Sequence, residues 1–342
     1  MATSYTEYII RRLAQATPVL FGLSILIFTI TRVIPGDPVR LALGPTATEE
    51  QIQRVKHEMG LDQPLHIQYI DWITGLFQGD WGQSLRTGNN VLADIVQRFP
   101  ATLELVLFSI LIAVALAIPF GVIAGTHKDA WEDHLSRFGA LFGISMPRFW
   151  VAILLQVIFA VQLGFMPLIG RISDGVAPPP AVTHLYVIDS LIAGQWPTFI
   201  DVVQHLALPV AAQATATLAV IMRLVRSEII EQDTEDYILA ARSYGLPRNL
   251  IEYKYMLKNS FTSALTVIGL EFGFLIGNAF LVEIVFVWPG MARYGVKAII
   301  AQDFNAVVGV VMVVGVTFIL ANLVVDLLYG YFDPRVRLEA GE

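Results

Sequence analysis

The 342-residue chain contains no cysteine. Disulfides, thiolate nucleophiles and cysteine metal sites are thereby excluded. Charge is scarce as well: Asp, Glu, Lys and Arg make up 15% of the residues, against 55% hydrophobic ones. A soluble domain is about a quarter charged, so this composition points to a polytopic membrane protein, and the mean hydropathy of +0.63 agrees. Of the five lysines, none follows a glycine. A phosphate-binding loop ending in Gly-Lys-Ser/Thr is therefore lacking, and ATP hydrolysis would have to come from a separate subunit. His57-Glu58 begins like a zinc-protease helix, but Leu61 stands where the second histidine would be. The sequence offers no metal site, and a formal net charge of −7 argues against a nucleic-acid partner.

What is present is a series of long apolar intervals. About 20 apolar residues cross a bilayer core as a helix. Intervals of that length run over Leu13–Thr31, Leu105–Thr126, Phe138–Leu163, Val202–Met222, Ala264–Phe286 and Phe304–Val325. Six spans are expected, the third interrupted by Arg148 and the fifth containing Glu271 and Glu283. The connections 1–12, 126–137, 223–260 and 330–342 hold 12 Lys and Arg, whereas 34–100, 163–197 and 289–305 hold 8 in longer stretches. The richer set is expected inside, which puts both termini in the cytoplasm. Arg11 and Arg12 precede the first span and no small-residue cleavage pattern follows it, so it reads as a retained anchor.

The outer segment after the first span is patterned. Thr48 and Gln51 form a capping box, Ile52, Val55 and Met59 share one helical face, and Gly60 supplies a stop. Pro64 opens a second helix with Leu65, Tyr69, Trp72 and Leu76 on one stripe, and Gly79-Asp80-Trp81-Gly82 ends it. Such amphipathic helices either pack on neighbouring spans or lie in the headgroup layer. Pro178-Pro179-Pro180 makes a stiff outer loop. The semi-apolar piece Leu185–Ile192 is too short to span.

A polar island, 233–259, separates the fourth and fifth spans on the inner side. Asp233 or Thr234 can cap a short helix, on which Tyr237, Ala241 and Tyr244 fall at helical spacing. Gly245 is a stop and Pro247 can start a second helix. Two capped helices around a glycine corner have the form of a docking element.

The run Ala240-Ala241, three residues, then Gly245 resembles the coupling loop of ABC importer permeases. Further similar segments are Ile34-Pro35-Gly36-Asp37-Pro38, Gly79–Leu85, Pro100–Leu105, Val282-Glu283 with Trp288-Pro289-Gly290, and Asn322–Tyr329 ending in Asp333-Pro334-Arg335. They run in order over nearly the whole length and are similar to the dipeptide, oligopeptide and nickel branch. Two departures stand out: Leu239 replaces the glutamate of the family's loop, and Thr262-Ser263 replaces its Leu-Pro pair.

The resemblance implies an all-helical six-span fold of the type I importer class, with amphipathic extracytoplasmic helices after the first span. Residues 1–100 would form the first span and outer segment, and 101–336 a five-helix core. It implies a permease subunit in the plasma (inner) membrane of a bacterium or archaeon, embedded in lipid and importing di- or oligopeptides by alternating access. Nickel, glutathione and oligosaccharides are the branch's other cargoes. Implied partners are a second homologous permease forming a heterodimer, two ATP-binding subunits holding ATP and magnesium, and an extracytoplasmic substrate-binding protein. Tyr237, Ala240, Ala241, Arg242, Tyr244 and Gly245 would form the ATPase-coupling element. This chain itself would perform no covalent chemistry and hold no cofactor.

Charges at bilayer depth are costly and mark functional candidates. Arg148, Glu271 and Glu283 are therefore candidates for the translocation path. Uncharged residues are usual in the family at the first two places. Glu104 and Asp326 read as interfacial or capping groups. An intramembrane serine protease is a competing class, because Gly143-Ile144-Ser145 and His205 lie in successive spans. Such a dyad requires a hydrogen bond between them.

The orientation is testable without background labelling, because the chain has no cysteine. Thr87→Cys should react with an impermeant thiol reagent added to intact cells, and Ser243→Cys should not. Labelling of Ser243→Cys in sealed cells would invert the topology.

Overall fold

The computed structural model describes residues 5–33, 47–58 and 61–332. The segments Ile34–Pro38, Met59-Gly60 and Asp333–Arg335 singled out in the sequence lie outside the described residues. Helices come in the order α1 (Tyr5–Val33), α2 (Glu49–Glu58), α3 (Leu65–Phe77), α4 (Val91–Thr126), α5 (Trp131–Ser145), α6 (Arg148–Leu155), α7 (Tyr186–Ile192), α8 (Trp196–Gln232), α9 (Asp236–Ser243), α10 (Arg248–Leu250), α11 (Leu257–Val285), α12 (Met291–Ile300) and α13 (Phe304–Phe332). Wider π turns extend α6 over Gln156–Gln162 and join α10 to α11 over Ile251–Met256. No strand occurs among the described residues. The chain is all-α, as expected.

Five helices, α1, α4, α8, α11 and α13, are long and apolar enough to cross a membrane. The expected third span is not one rod. α5 and α6 meet at 104°, and only together do they count as a sixth span. The cause is local. Pro147 has no N–H to continue the helix and forces the preceding residue out of helical geometry. Met146 is accordingly extended (φ −83°, ψ 126°), and Pro147 caps α6. Arg148 becomes the first residue of a new helix.

The spans approach closely where side chains vanish. On α4, Gly121 and Gly125 face Val225 and Ile229 of α8, and a Cβ on either glycine would lie 2.7 Å from its partner. Gly143 of α5 meets Ala219 of α8 at 2.9 Å by the same measure. Gly269 and Gly273 of α11 leave room for Val325 and Phe318 of α13. Small residues four apart let helix backbones pack closely in lipid, where no hydrophobic force drives association. Outward apolar residues such as Leu111 and Phe120 remain exposed for lipid.

The outer helices attach to the bundle. In α2, the Thr48 N–H donates to Gln51 Oε1 (2.9 Å) and the Gln51 N–H to Thr48 Oγ1 (3.3 Å), the expected capping box. Pro64 starts α3 as read. Tyr69 packs edge-on against Phe28 of α1 at 5.3 Å between centroids, and its hydroxyl lies 2.7 Å from Ser24 Oγ. Trp72 lies 5.7 Å from Phe28. Tyr69 and Trp72 of α3 thus cover α1, whereas Leu65 of the same stripe is exposed.

Glu104 acts as a capping group for the first turn of α7. It is fully buried on α4, where its Oε2 accepts from Arg171 Nη2 (2.7 Å) and Nε (2.9 Å), and its Oε1 accepts from the Val187 N–H of α7 (2.8 Å). Arg171 also stacks on Tyr186, 3.6 Å from the ring centroid. This pair fastens the outer loop and α7 to α4.

Arg171→Ala should destabilise the chain by about 3–5 kcal/mol, because it strands a buried carboxylate. Arg171→Ala with Glu104→Leu should recover much of that loss. Thermal unfolding in detergent measures both; a single variant as stable as the parent would contradict the role of the pair.

Candidate functional site

The inner polar island builds a helix–corner–helix element, but not with the caps read from sequence. α8 runs on to Gln232, and Asp233 lies at its C-terminal end. The N-cap of α9 is Glu235, without a side-chain capping bond. Asp233 instead pairs with Arg242 across the corner, and Thr234 Oγ1 donates back to the Glu231 carbonyl (2.9 Å). Tyr237 donates its hydroxyl to Gln232.

The end of α9 is fixed by backbone geometry. The Leu246 N–H donates to the Ala241 carbonyl (3.2 Å) and the Gly245 N–H to the Arg242 carbonyl (2.9 Å). That pair of bonds needs a left-handed residue at Gly245, and its φ is +70°. Pro247 then caps α10, which continues into α11. The second helix of the island is therefore the inner end of the fifth span.

The two faces of α9 differ from the sequence expectation. Ala241 does not point outward. With Ile238 it is buried among Ile229, Ile251 and Met256, and Tyr237 packs against the same cluster. Tyr244 has left the helix as its C-cap and is 84% exposed. The free face presents Leu239, Ala240, Arg242 and Tyr244, with Gly245 at the corner. Leu239, where the family's loop has its glutamate, is more than half exposed. The outward apolar face could not be separated from the inward one by spacing alone.

A second constellation lies in the bundle. Arg148 Nη2 sits 4.0 Å from Glu271 Oε2, and each side chain is 13% exposed. Thr217 of α8 donates to the same carboxylate oxygen at 2.7 Å. Arg148 Nη1 is buried with no hydrogen-bond partner among the described residues. The sequence candidates Arg148 and Glu271 are thus brought together where α6, α8 and α11 converge.

Glu283 is elsewhere and does not face a path in this conformation. It is fully buried, accepting from Thr102 Oγ1 (2.5 Å) and from the Arg293 N–H (2.6 Å). Gly290 makes room for it: a Cβ there would lie 2.1 Å from Glu283 Oε1. Thr102 also accepts from the Met291 N–H (2.8 Å), and Trp288 Nε1 donates to the Ala101 carbonyl (2.9 Å). Glu283 locks α4, α11 and α12 together.

Sequence reading missed a further charged tie. Asp133 of α5 is fully buried and pairs with Arg226 of α8 and with Arg137, 2.8 Å away. The serine–histidine pairing is not formed. His205 Nδ1 engages the Asp201 carbonyl at 2.8 Å, and no hydrogen bond joins it to Ser145.

The family model described as "Binding-protein-dependent transport system inner membrane component" matches residues 117–338, and its N-terminal counterpart matches residues 5–106. The probable D,D-dipeptide transport system permease protein of Escherichia coli K12 is 42% identical over 324 residues, covering 95% of each chain. The dipeptide transport system permease protein of Alkalihalophilus pseudofirmus is 39% identical, covering 96% of this chain and 99% of its own. The glutathione transport system permease protein of E. coli K12 is 35% identical, covering 97% and 99%. The chain belongs to the inner-membrane components of binding-protein-dependent transport systems.

Proposed function

We propose that this chain is a permease subunit that imports short peptides by alternating access, driven by separate ATP-binding subunits. The observation that carries the reading is the end-to-end similarity to permeases named for dipeptides. A tripeptide cargo such as glutathione is the second reading, favoured by the relative of that name. Nickel and oligosaccharide cargoes have no support in these relatives' names. A substrate-binding protein outside follows from the family, and a second permease completes the pathway as a heterodimer. ATP and magnesium belong to the partner ATPases, and both termini face the cytoplasm.

In this reading α9 is the coupling helix. Leu239, Ala240, Arg242 and Tyr244 dock on the ATPase, while Tyr237 and Ala241 weld the helix to its own bundle. Movement at α9 passes through the Gly245 corner into α10 and α11, and so to Glu271. Closure of the ATPase dimer would then shift α11 against α6 and α8 as a rigid-body step. Arg148 and Glu271 line the region that opens.

Gly245→Val should weaken coupling, because a branched residue resists φ +70°. Ala240→Arg should disrupt the docked face without loading the core. Both variants should reach the membrane normally yet lower ATP-driven dipeptide uptake by roughly tenfold, equivalent to about 1.4 kcal/mol. Normal uptake by both would remove α9 from the coupling path.

For the charged pair, Arg148→Ala and Glu271→Ala should each impair uptake or folding, since an unpaired charge at this depth costs about 2.5–3.5 kcal/mol on insertion scales. The exchange Arg148→Glu with Glu271→Arg should restore part of the uptake. Two silent single variants would make the charges peripheral.

A further inference from the structure

The connections assigned to the outer side hold 8 Lys and Arg, and five of them, Arg86, Arg98, Arg171, Arg293 and Lys297, line one cavity of about 440 Å³. They come from separated pieces of chain: the turn before α4, the first part of α4, the loop after α6, and α12, with Lys297 in its last turn. Local sequence repetition does not explain their convergence.

Two of these charges are already answered. Arg98 pairs with Asp94 at 2.7 Å, and Arg171 with Glu104. No carboxylate lies within ion-pair distance of the Arg86, Arg293 or Lys297 side chains among the described residues. The Arg293 guanidinium donates to the Val287 carbonyl (3.0 Å) while its backbone N–H donates to the buried Glu283 (2.6 Å), and the Arg86 guanidinium hangs 5.7 Å from the Tyr294 ring centroid. The nearby Asp303 carboxylate is taken up by Ser84 Oγ (2.5 Å) and by the backbone N–H groups of Arg86 and Ala306 (3.2 Å each). The positive field is felt at Lys297, whose amine is held below the usual lysine range chiefly by Arg293, then by burial, Arg86 and Arg98.

The site combines buried residues with the exposed Arg86 and Lys297. Tyr294 is 2% exposed and Arg171 7%, and its volume falls in the range of about 300–1,000 Å³ typical of small-molecule sites. Arginine forks suit a carboxylate, which can accept from two N–H groups at once. Excess positive charge in a concavity favours a small anion over the broad face of a protein.

We propose that this outer cavity receives the terminal carboxylate of the transported peptide. The proposal rests on the peptide-import reading above. Arg293 and Lys297 supply the charge that the carboxylate neutralises, and Arg86 closes the rim.

Gln97 also lines the cavity, and Gln97→Cys gives a single reporter thiol in a chain without cysteine. The assembled importer is placed in phosphatidylcholine nanodiscs, and labelling by an anionic methanethiosulfonate reagent is timed. Alanyl-alanine should slow labelling several-fold, and alanyl-alanine amide should not. Arg293→Gln with Lys297→Met should abolish the protection, and Lys297→Arg alone should retain it. Equal effects of acid and amide, protection that survives loss of both charges, or a thiol the reagent never reaches would overturn the proposal. So would protection by phosphatidylglycerol, or by peptide-free binding protein, with none by the dipeptide. ATP-driven alanyl-alanine uptake by the parent importer is measured alongside. Uptake without protection refutes only the role of this cavity, whereas absence of uptake refutes the peptide-import reading itself.

Discussion

A buried carboxylate has to be neutralised within the protein, and this chain uses that constraint to fasten its helices. Glu104 binds α4 to Arg171 and α7, Asp133 binds α5 to Arg226 of α8, and Glu283 binds α11 to Thr102 of α4 and to the start of α12. All three carboxylates are fully buried. Removing one partner from such a pair costs about 3–5 kcal/mol, although the intact pair gains little over a well-packed apolar one. The ties therefore specify one arrangement of helices more than they stabilise it. The glycine seams of α4 against α8 and α11 against α13 bring together helix pairs that these ties do not join.

Arg148 and Glu271 depart from this pattern. Their separation of 4.0 Å is at the limit of an ion pair, and Arg148 Nη1 is left without a partner. An incompletely satisfied charge pair thus lies at the break between α5 and α6, beside α8 and α11. A pair that is incomplete in one packing is suited to a second one, whereas the ties at Glu104, Asp133 and Glu283 hold their helices as fixed bodies. The inner end of α11 is continuous with α10 and, through the Gly245 corner, with α9. Movement at α9 has a short covalent route to Glu271.

Much of this was legible in the sequence because lipid makes stringent demands. Five spans followed from charge-free length, the capping box at Thr48 and the start of α3 from local chemistry, and the corner at Gly245 from its neighbours. The fold class followed with them. Pro147 was visible, but the size of the bend it causes was not, since a proline can kink a helix or end it. The cap of α9 was misplaced because Asp233 and Thr234 were drawn into the end of α8, which outlasts its apolar stretch. Tyr237, Ala241 and Tyr244 do share helical spacing, yet which face docks inward is decided by Ile229, Ile251 and Met256 from distant segments. The partners of Glu104 and Asp133 lie 67 and 93 residues away, so no local pattern could reveal them. The Gly121–Gly125 and Gly269–Gly273 spacings were there to be read as close helix contacts and carried that information unused.

The central claim is that the exposed face of α9 contacts the ATPase while its buried face belongs to the bundle. A photoreactive benzoylphenylalanine placed singly at Leu239 or Tyr244, and at Leu85 as an outer control, tests it within the assembled importer. Illumination should join this chain to the ATP-binding subunit from Leu239 and Tyr244, and not from Leu85. Absence of an ATPase adduct from both inner positions, with the complex intact and the probe incorporated, would contradict the claim.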